Sequence, residues 1–471
     1  MFITEYLNQT KSKNHSNLLI NLSFGFLPIS YFFGNLIVNL NFFLFCCLGI
    51  FYLKSKILKT KYGPHIKIIF LFFILIIIST SLSFIKSLYF GNYQDHDLER
   101  LIKSILFFRY FLFLIIVYLL SKFDILNFKY FFISAAFSPI LLSLDVIYQY
   151  IFGYDILGFK NDGLRNGGFF GDEFIAGAYI ERFSFFAIFF TIFTLQNRNY
   201  TKFTLAAVVT SIVGVGILVS GNRMPLVLFL FGIFLTFFFN IKIKKILFSS
   251  LVCLLIFLNF TISSNERMQL SYGSMYSNVK TILFEWAIPE KTNEKSDVTE
   301  NVKSEIDTEN KSSQRYQTIR ERLLLTAIDT WKPNKIFGNG IKSFKFDCSE
   351  LLQDKNVSME EDFKKDKKNR LCSNHPHNYY LEILTEIGIL GILLLLTTAV
   401  FFMVFVIKNY KFLKGNDVEY FILLAAIIGL ILEMFPFRSS GSFFASSNAN
   451  YIMLISSIVL CYKKLLKIKI Q

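Results

Sequence analysis

Between Lys67 and Lys86 the chain reads "IIFLFFILIIISTSLSFI", eighteen residues without a charge. A hydrocarbon layer about 30 Å thick needs roughly 20 mostly apolar residues of helix to cross it. Inside lipid the backbone must also satisfy its own hydrogen bonds, which leaves helices and closed barrels as the spanning structures. This run is far longer than a barrel strand, so it predicts a membrane helix. Segments of the same kind lie at about 16–34, 36–53, 66–85, 101–120, 128–152, 174–196, 203–220, 224–240, 245–262, 378–407, 418–436 and 446–462. The expected fold is therefore an all-α polytopic integral membrane protein with about 12 transmembrane helices. Composition agrees: 53% of the residues are hydrophobic, whereas soluble domains usually stay below half. Polar residues Thr10 to Asn17 precede the first segment and no small-residue cleavage site follows it, so no cleavable signal peptide is expected.

The formal net charge of +15 would suggest a nucleic-acid partner if it were gathered on one face. Its distribution says otherwise. Lys54, Lys56, Lys59 and Lys61 flank one connection. Lys122 and Lys129, Arg198 and Lys202, Lys242, Lys244 and Lys245, and Lys408, Lys411 and Lys414 mark every second connection after it. The intervening connections hold Asp95, Asp97, Glu99, Asp155, Asp162, Asp172 and Glu173. The positive-inside rule then puts both termini in the cytoplasm and the acidic connections outside. The basic excess reports topology; the partners it implies are membrane lipids, with no nucleic acid.

Three regions follow. Residues 1–262 carry nine segments, 263–377 form one long outer loop, and 378–471 carry three segments and a basic tail. Within the loop, "EKTNEKSDVTENVKSEIDTENKSS" is charged and nearly free of large apolar residues, as a flexible linker would be. "RYQTIRERLLLTAIDTW" follows with helical spacing and ends at Pro333 and "FGNG". "SMEEDFKKDKKNR" opens on the capping-box pair Ser358 and Glu361. The loop thus reads as a partly helical cap over the bundle. Cys46, Cys47, Cys253 and Cys461 lie in or beside apolar segments as small filler. Cys348 and Cys372 both lie in the outer loop, where they either form a disulfide in an oxidising compartment or stay as two thiols.

Unusual polar residues collect at the outer ends of the segments: Arg165, Glu181 and Arg182; Arg223 in "SGNRMP"; His375, His377 and Asn378 in "SNHPHN"; and Glu433 and Arg438 in "EMFPFRSSGSFF". Charges at a membrane interface are costly and point to function. Arginine forks bind phosphate and remain charged at any relevant pH. A histidine titrates near neutrality and can take a proton from a hydroxyl. Cations for a diphosphate leaving group and a base for an acceptor hydroxyl are the minimum for transfer from a lipid diphosphate. Pro376 prevents a helix from running back through the histidines, so His377 is expected just ahead of a helix start. Glu382, one turn beyond Asn378, can orient His377 or pair with an arginine. Gly388 and Gly391 read as allowing close helix packing.

Four stretches, in this order, carry a family resemblance: "RNGGFFGDEFIAGAYI", "SGNR", "RERLLLTAIDTWKPNKIFGNGIKSF" and "HPHNYYLEILTEIGILG". Together the chain resembles the O-antigen ligase/O-antigen polymerase superfamily of bacterial envelope enzymes. The resemblance implies a metal-independent, cofactor-free, inverting glycosyltransferase of the bacterial inner membrane, with its active site and long loop on the periplasmic face. Its donor would be an undecaprenyl-diphosphate-linked glycan, and its acceptor a sugar hydroxyl on lipid A–core or on a second lipid-linked glycan. Ligase and polymerase share these features and stay open. Carried over by motif, His377 is the catalytic base, with Arg223 and Arg165 as diphosphate ligands. Arg320 matches the loop arginine, although Arg322 lies two residues away. His375, Asn378, Glu382, Arg438 and Arg182 are further substrate-binding candidates. Two rivals are a metal-dependent polyprenyl-phosphate glycosyltransferase using "DHD" at Asp95–Asp97, and a lipid-linked glycan flippase or transporter.

Overall fold

The computed structural model describes residues 17–162, 165–194, 199–239, 244–263, 269, 272–273, 319–353, 370–409 and 417–462. The whole of the expected linker, residues 290–313, and the segment from Ser358 to Asn369 lie outside them. No strand occurs among the described residues; the one bridge pairs Tyr154 with Lys160. The first ten main helices are α1 (Leu18–Ser30), α2 (Gly34–Leu53), α3 (Pro64–Tyr89), α4 (Asp95–Phe107), α5 (Arg109–Lys122), α6 (Phe128–Phe152), α7 (Ala176–Thr194), α8 (Asn199–Val219), α9 (Arg223–Phe239) and α10 (Lys244–Ser263). In the loop lie α11 (Ile319–Trp331) and α12 (Phe344–Gln353), followed by α13 (Tyr379–Asn409), α14 (Val418–Glu433) and α15 (Ser446–Leu460).

Every apolar segment expected from the sequence contains helix. Six stretches are long and apolar enough to cross a membrane: Leu18–Leu53, Pro64–Tyr89, Asp95–Lys122, Phe128–Phe152, Ala176–Thr194 and Tyr379–Lys408. The chain therefore has the make-up of a polytopic membrane protein. Large apolar side chains such as Phe43, Phe51 and Val400 face outward, where lipid rather than water suits them. The first stretch is not one rod. Ser23 Oγ donates to Asn41 Oδ1 at 3.0 Å, yet eighteen residues of continuous helix would separate them by about 27 Å. Gly34, at φ 83°, turns the chain between them, so α1 and α2 pack as a hairpin.

Between the helices the fill is aromatic. Phe24 meets Phe45, Phe128 and Phe131 with ring centroids 5.3–5.6 Å apart, joining α1, α2 and α6. In lipid this fit matters more than burial itself, because the surroundings are as apolar as the side chains.

The long helix α13 is broken, and the break receives the segment that leads from α11 to α12. Gly388 has φ 75°, which interrupts the helical ladder and frees groups that lipid cannot satisfy. The loop segment 335–340 satisfies them. Asn339 N donates to Thr385 O (3.0 Å) and Gly340 N to Glu386 O (2.8 Å), while Ile389 N donates to Lys335 O (2.9 Å). A Cβ at Gly388 would lie 2.2 Å from the Ile336 carbonyl oxygen. Gly388 thus does more than let helices approach: it admits the "FGNG" turn into the helix break. Arg100 on α4 secures the same turn, its guanidinium donating to the carbonyls of Ile341 (3.0 Å) and Asn339. The far end of the loop is tied as well. Arg370 Nε meets Asp329 Oδ2 at 2.6 Å, and Cys348 on α12 is bridged to Cys372 with Cα atoms 5.7 Å apart.

Candidate active site

The loop docked in this way roofs a polar cavity of about 650 Å³. One wall comes from α4 and the start of α12 (Arg100, Lys103, Lys342, Lys345), another from α7 (Tyr179, Arg182). The start of α9 adds Met224 and Pro225. His375, Tyr379 and the crossing between α14 and α15 (Arg438, Ser442, Asn448) close it. Beside it, opening to the outer face of the apolar helices, a second cleft of about 360 Å³ is lined by Phe72, Tyr380, Phe402, Phe435 and Phe443. Neighbouring residues alternate across the partition: Tyr379 and Ser442 face the polar space, Tyr380 and Phe443 the apolar one.

The partition rests on Glu382. Its Oε1 accepts from Ser442 Oγ and its Oε2 from Phe443 N, both at 2.5 Å. Glu382 therefore meets neither His377 nor an arginine, because the returning 442–443 segment occupies both oxygens. Beneath the cavity floor lies a buried ion network. Arg182 forks onto Glu433 through Nε (2.9 Å) and Nη2 (2.7 Å) and also reaches Asn448 Oδ1 (2.7 Å). Arg438 pairs with Glu433 at 3.2 Å and Glu181 at 3.3 Å. Tyr379 donates its hydroxyl to Glu433 Oε1 at 2.7 Å. Two of the expected cations, Arg182 and Arg438, do face the cavity, but with their charge already matched.

The two histidines part company here. Asn378 caps α13, its Oδ1 accepting from Tyr380 N (3.0 Å) and Leu381 N (3.2 Å) while Nδ2 donates to Pro436 O (2.7 Å). That cap starts the helix where the sequence placed it. His377, immediately before it, takes φ 55°, and its carbonyl accepts from Ser440 N at 3.0 Å. Its ring is exposed, with Nε2 3.3 Å from Ser373 Oγ. His375 instead lines the cavity, its ring 4.2 Å from that of His377 and its Nε2 buried without a partner. Burial, followed by the neighbouring charges of His377 and Lys342, pushes His375 down to about 4 against a contrary effect of the Ser440 backbone. It is an uncharged ring at neutral pH.

The remaining expected cations do not line the cavity. Arg165 is exposed and lies 5.8 Å over the Phe174 ring. Asn222, beside Arg223, donates to the Phe174 carbonyl at 2.9 Å, and the next residue, Ile175, lines the cavity. Arg223 is exposed at the start of α9, next to the lining residue Met224. Arg320 is exposed at the start of α11 and does not line the cavity, while Arg322 turns inward to the Arg370 carbonyl (2.9 Å). The "DHD" stretch is absorbed into helix structure. Asp97 accepts from Gln94 N and pairs with Arg100, both at 3.2 Å, and His96 stacks on Phe346 at 3.8 Å. Among the described residues no group of three His, Cys, Asp or Glu side chains has a metal-binding arrangement.

Sequence reasoning missed Lys342, Tyr379, Ser442 and Asn448. Lys342 alone left a signal, as the one cation in the otherwise apolar and glycine-rich "FGNGIKSF".

The architecture is that of a polytopic helical membrane protein with a polar cavity lined in part by the docked segment between α11 and α13. The family model for O-antigen ligase matches residues 205–396. That match, over less than half of the chain, supports the resemblance to the O-antigen ligase/O-antigen polymerase superfamily. The matched span runs from α8 through the docked loop into α13 and so contains Arg223, Arg320, Lys342, His375 and His377. The family implies a surface-polysaccharide enzyme with glycosyltransferase-like activity. No curated protein matches the chain.

Proposed function

We propose that the chain transfers a glycan from an undecaprenyl-diphosphate carrier to a sugar hydroxyl at the periplasmic face of a bacterial inner membrane. The observation that carries this reading is the pairing of the polar cavity with an apolar cleft across one thin partition. A lipid diphosphate has the same two-part chemistry, a charged glycan-bearing head on a hydrocarbon chain. In the reaction, His377 takes the proton of the acceptor hydroxyl, whose oxygen attacks the anomeric carbon. The bond from that carbon to the diphosphate breaks, and the lipid diphosphate leaves with the electron pair, inverting the centre. Arg223, next to the lining residue Met224, and Arg165, over the Phe174 ring, meet the diphosphate as it enters. The neutral ring of His375 lies between His377 and the cavity, where a hydrogen bond to the acceptor is its natural task. Both termini are cytoplasmic, twelve segments span, and residues 263–377 cover the outer face; the alternation of lysine-rich connections supports this orientation.

The test is a gene deletion read by lipopolysaccharide gel. Loss of every long chain on core indicates a ligase, and reduction to a single repeat indicates a polymerase. An unchanged gel, together with no glycan transfer by the purified protein in detergent, would overturn the reading.

A further inference from the structure

Six cations line the polar cavity: Arg100, Lys103, Arg182, Lys342, Lys345 and Arg438. Four have carboxylate partners. Arg100 pairs with Asp97 and Lys103 with Glu99, while Arg182 and Arg438 share Glu433. Lys342 and Lys345 enter no ion pair among the described residues. They stand three residues apart on the segment that leads from the docked turn into α12.

Lys342 is held in a defined position by its backbone and its side chain. Its backbone sits at φ 60°, a region that non-glycine residues enter rarely and that recurs at functional sites. Its N–H donates to Glu386 Oε2 at 2.7 Å, which fixes that conformation. Its Nζ donates to Ser442 Oγ at 2.8 Å, and Ser442 donates onward to Glu382. An ammonium carries three protons, so the chain of bonds uses one and leaves the others for a ligand in the cavity. Lys345 is exposed on the same wall, its Nζ 4.4 Å from the Phe346 ring centre. The Cys348–Cys372 bridge couples this wall to the histidine loop three residues beyond it.

We propose that Lys342, assisted by Lys345, is the cavity's diphosphate-binding group and holds the head of a lipid-linked diphosphate. This rests on the donor assignment above and adds to it a residue that the arginine pattern did not reveal. Arg223 and Arg165 meet the diphosphate at entry; Lys342 holds it against the partition, with its lipid chain in the apolar cleft. Charge that develops on the departing diphosphate falls beside a half-buried ammonium already positioned by Ser442.

The test measures binding of farnesyl diphosphate, inorganic pyrophosphate and farnesol to the purified full chain in detergent micelles. Lys342→Asn removes the charge while keeping a residue that tolerates the left-handed backbone. It should weaken farnesyl diphosphate binding on the order of 10- to 100-fold and leave farnesol binding unchanged. Lys342→Arg should retain most of the affinity, and the exposed Lys345→Ala should lose a smaller part. Binding of farnesyl diphosphate to Lys342→Asn within twofold of wild type would overturn the inference while leaving the transfer reading intact. If Lys342→Asn fails to fold, undiminished binding by Lys345→Ala would overturn the two-lysine site. Pyrophosphate bound as tightly as farnesyl diphosphate would refute the lipid-linked source. A wild-type chain that binds neither diphosphate would remove the donor assignment and this inference together.

Discussion

Glu433 holds the floor of the cavity together, and its removal offers a quantitative test of the buried network. Its carboxylate is 1% exposed and meets two Arg182 nitrogens at 2.9 and 2.7 Å, the Tyr379 hydroxyl at 2.7 Å and Arg438 at 3.2 Å. Glu433→Gln keeps the shape but removes the charge, leaving two buried guanidinium groups to share Glu181. Removing one partner of a buried ion pair costs about 3–5 kcal/mol because the other charge stays desolvated and unmatched. Total stabilities are about 5–15 kcal/mol, so the loss should be plain in unfolding by denaturant in micelles. Arg182→Met should cost a similar amount. The double variant should cost less than the two single losses added, by about 0.5–3 kcal/mol, because it removes both charges of the pair at once. A Glu433→Gln loss below about 1 kcal/mol, additive with Arg182→Met, would refute the network as the support of the site.

Other expected outcomes concern the loop and its docking. Cys348 and Cys372 should migrate as a bridged chain on a non-reducing gel, with the shift absent from the double serine variant; ready maleimide labelling of both thiols in native protein would contradict this. Gly388→Ala should destabilise by about 2 kcal/mol or more through a left-handed backbone and a clash with the Ile336 carbonyl; a melting temperature equal to wild type would refute the docked turn. His375 is held at about 4 against an ordinary value of 6.5, so between these values the unfolded chain binds the extra proton. Stability should therefore fall as pH drops from about 6.5 to about 4. His375→Gln should lose part of that slope, and an identical pH profile in the variant would place the ring in water.

What could be read in the sequence divides along physical lines. Apolar runs such as 66–85 announce helices because lipid leaves the backbone no other way to satisfy itself. The start of α13 at Pro376-His377-Asn378 was equally legible, since proline and a capping asparagine act locally. The break at Gly388 was not. Glycine is ordinary in membrane helices, and only the docking of a turn some fifty residues earlier makes this one bend. Pairing explains the arginines. Arg182 and Glu433 are 251 positions apart, so nothing local shows that Arg182 and Arg438 are neutralised while Arg165 and Arg223 stand exposed. The histidine loop was found, but which ring enters the cavity depends on the positive φ of His377, and sequence spacing does not record it. Lys342 was passed over for the same reason: its value lies in a backbone twist and in bonds to Glu386 and Ser442.

The central claim is that a histidine of this loop removes the acceptor proton, with His377 as the base. The most direct measurement is turnover of glycan transfer by purified His377→Gln at saturating donor, with donor binding and melting temperature measured on the same preparation. Glutamine keeps hydrogen bonds but accepts no proton at neutral pH. The account predicts a loss on the order of 10²–10⁴-fold in turnover, with donor binding nearly unchanged and a milder loss for His375→Gln. Turnover near wild type in His377→Gln, or a full loss that falls on His375→Gln alone, would contradict it.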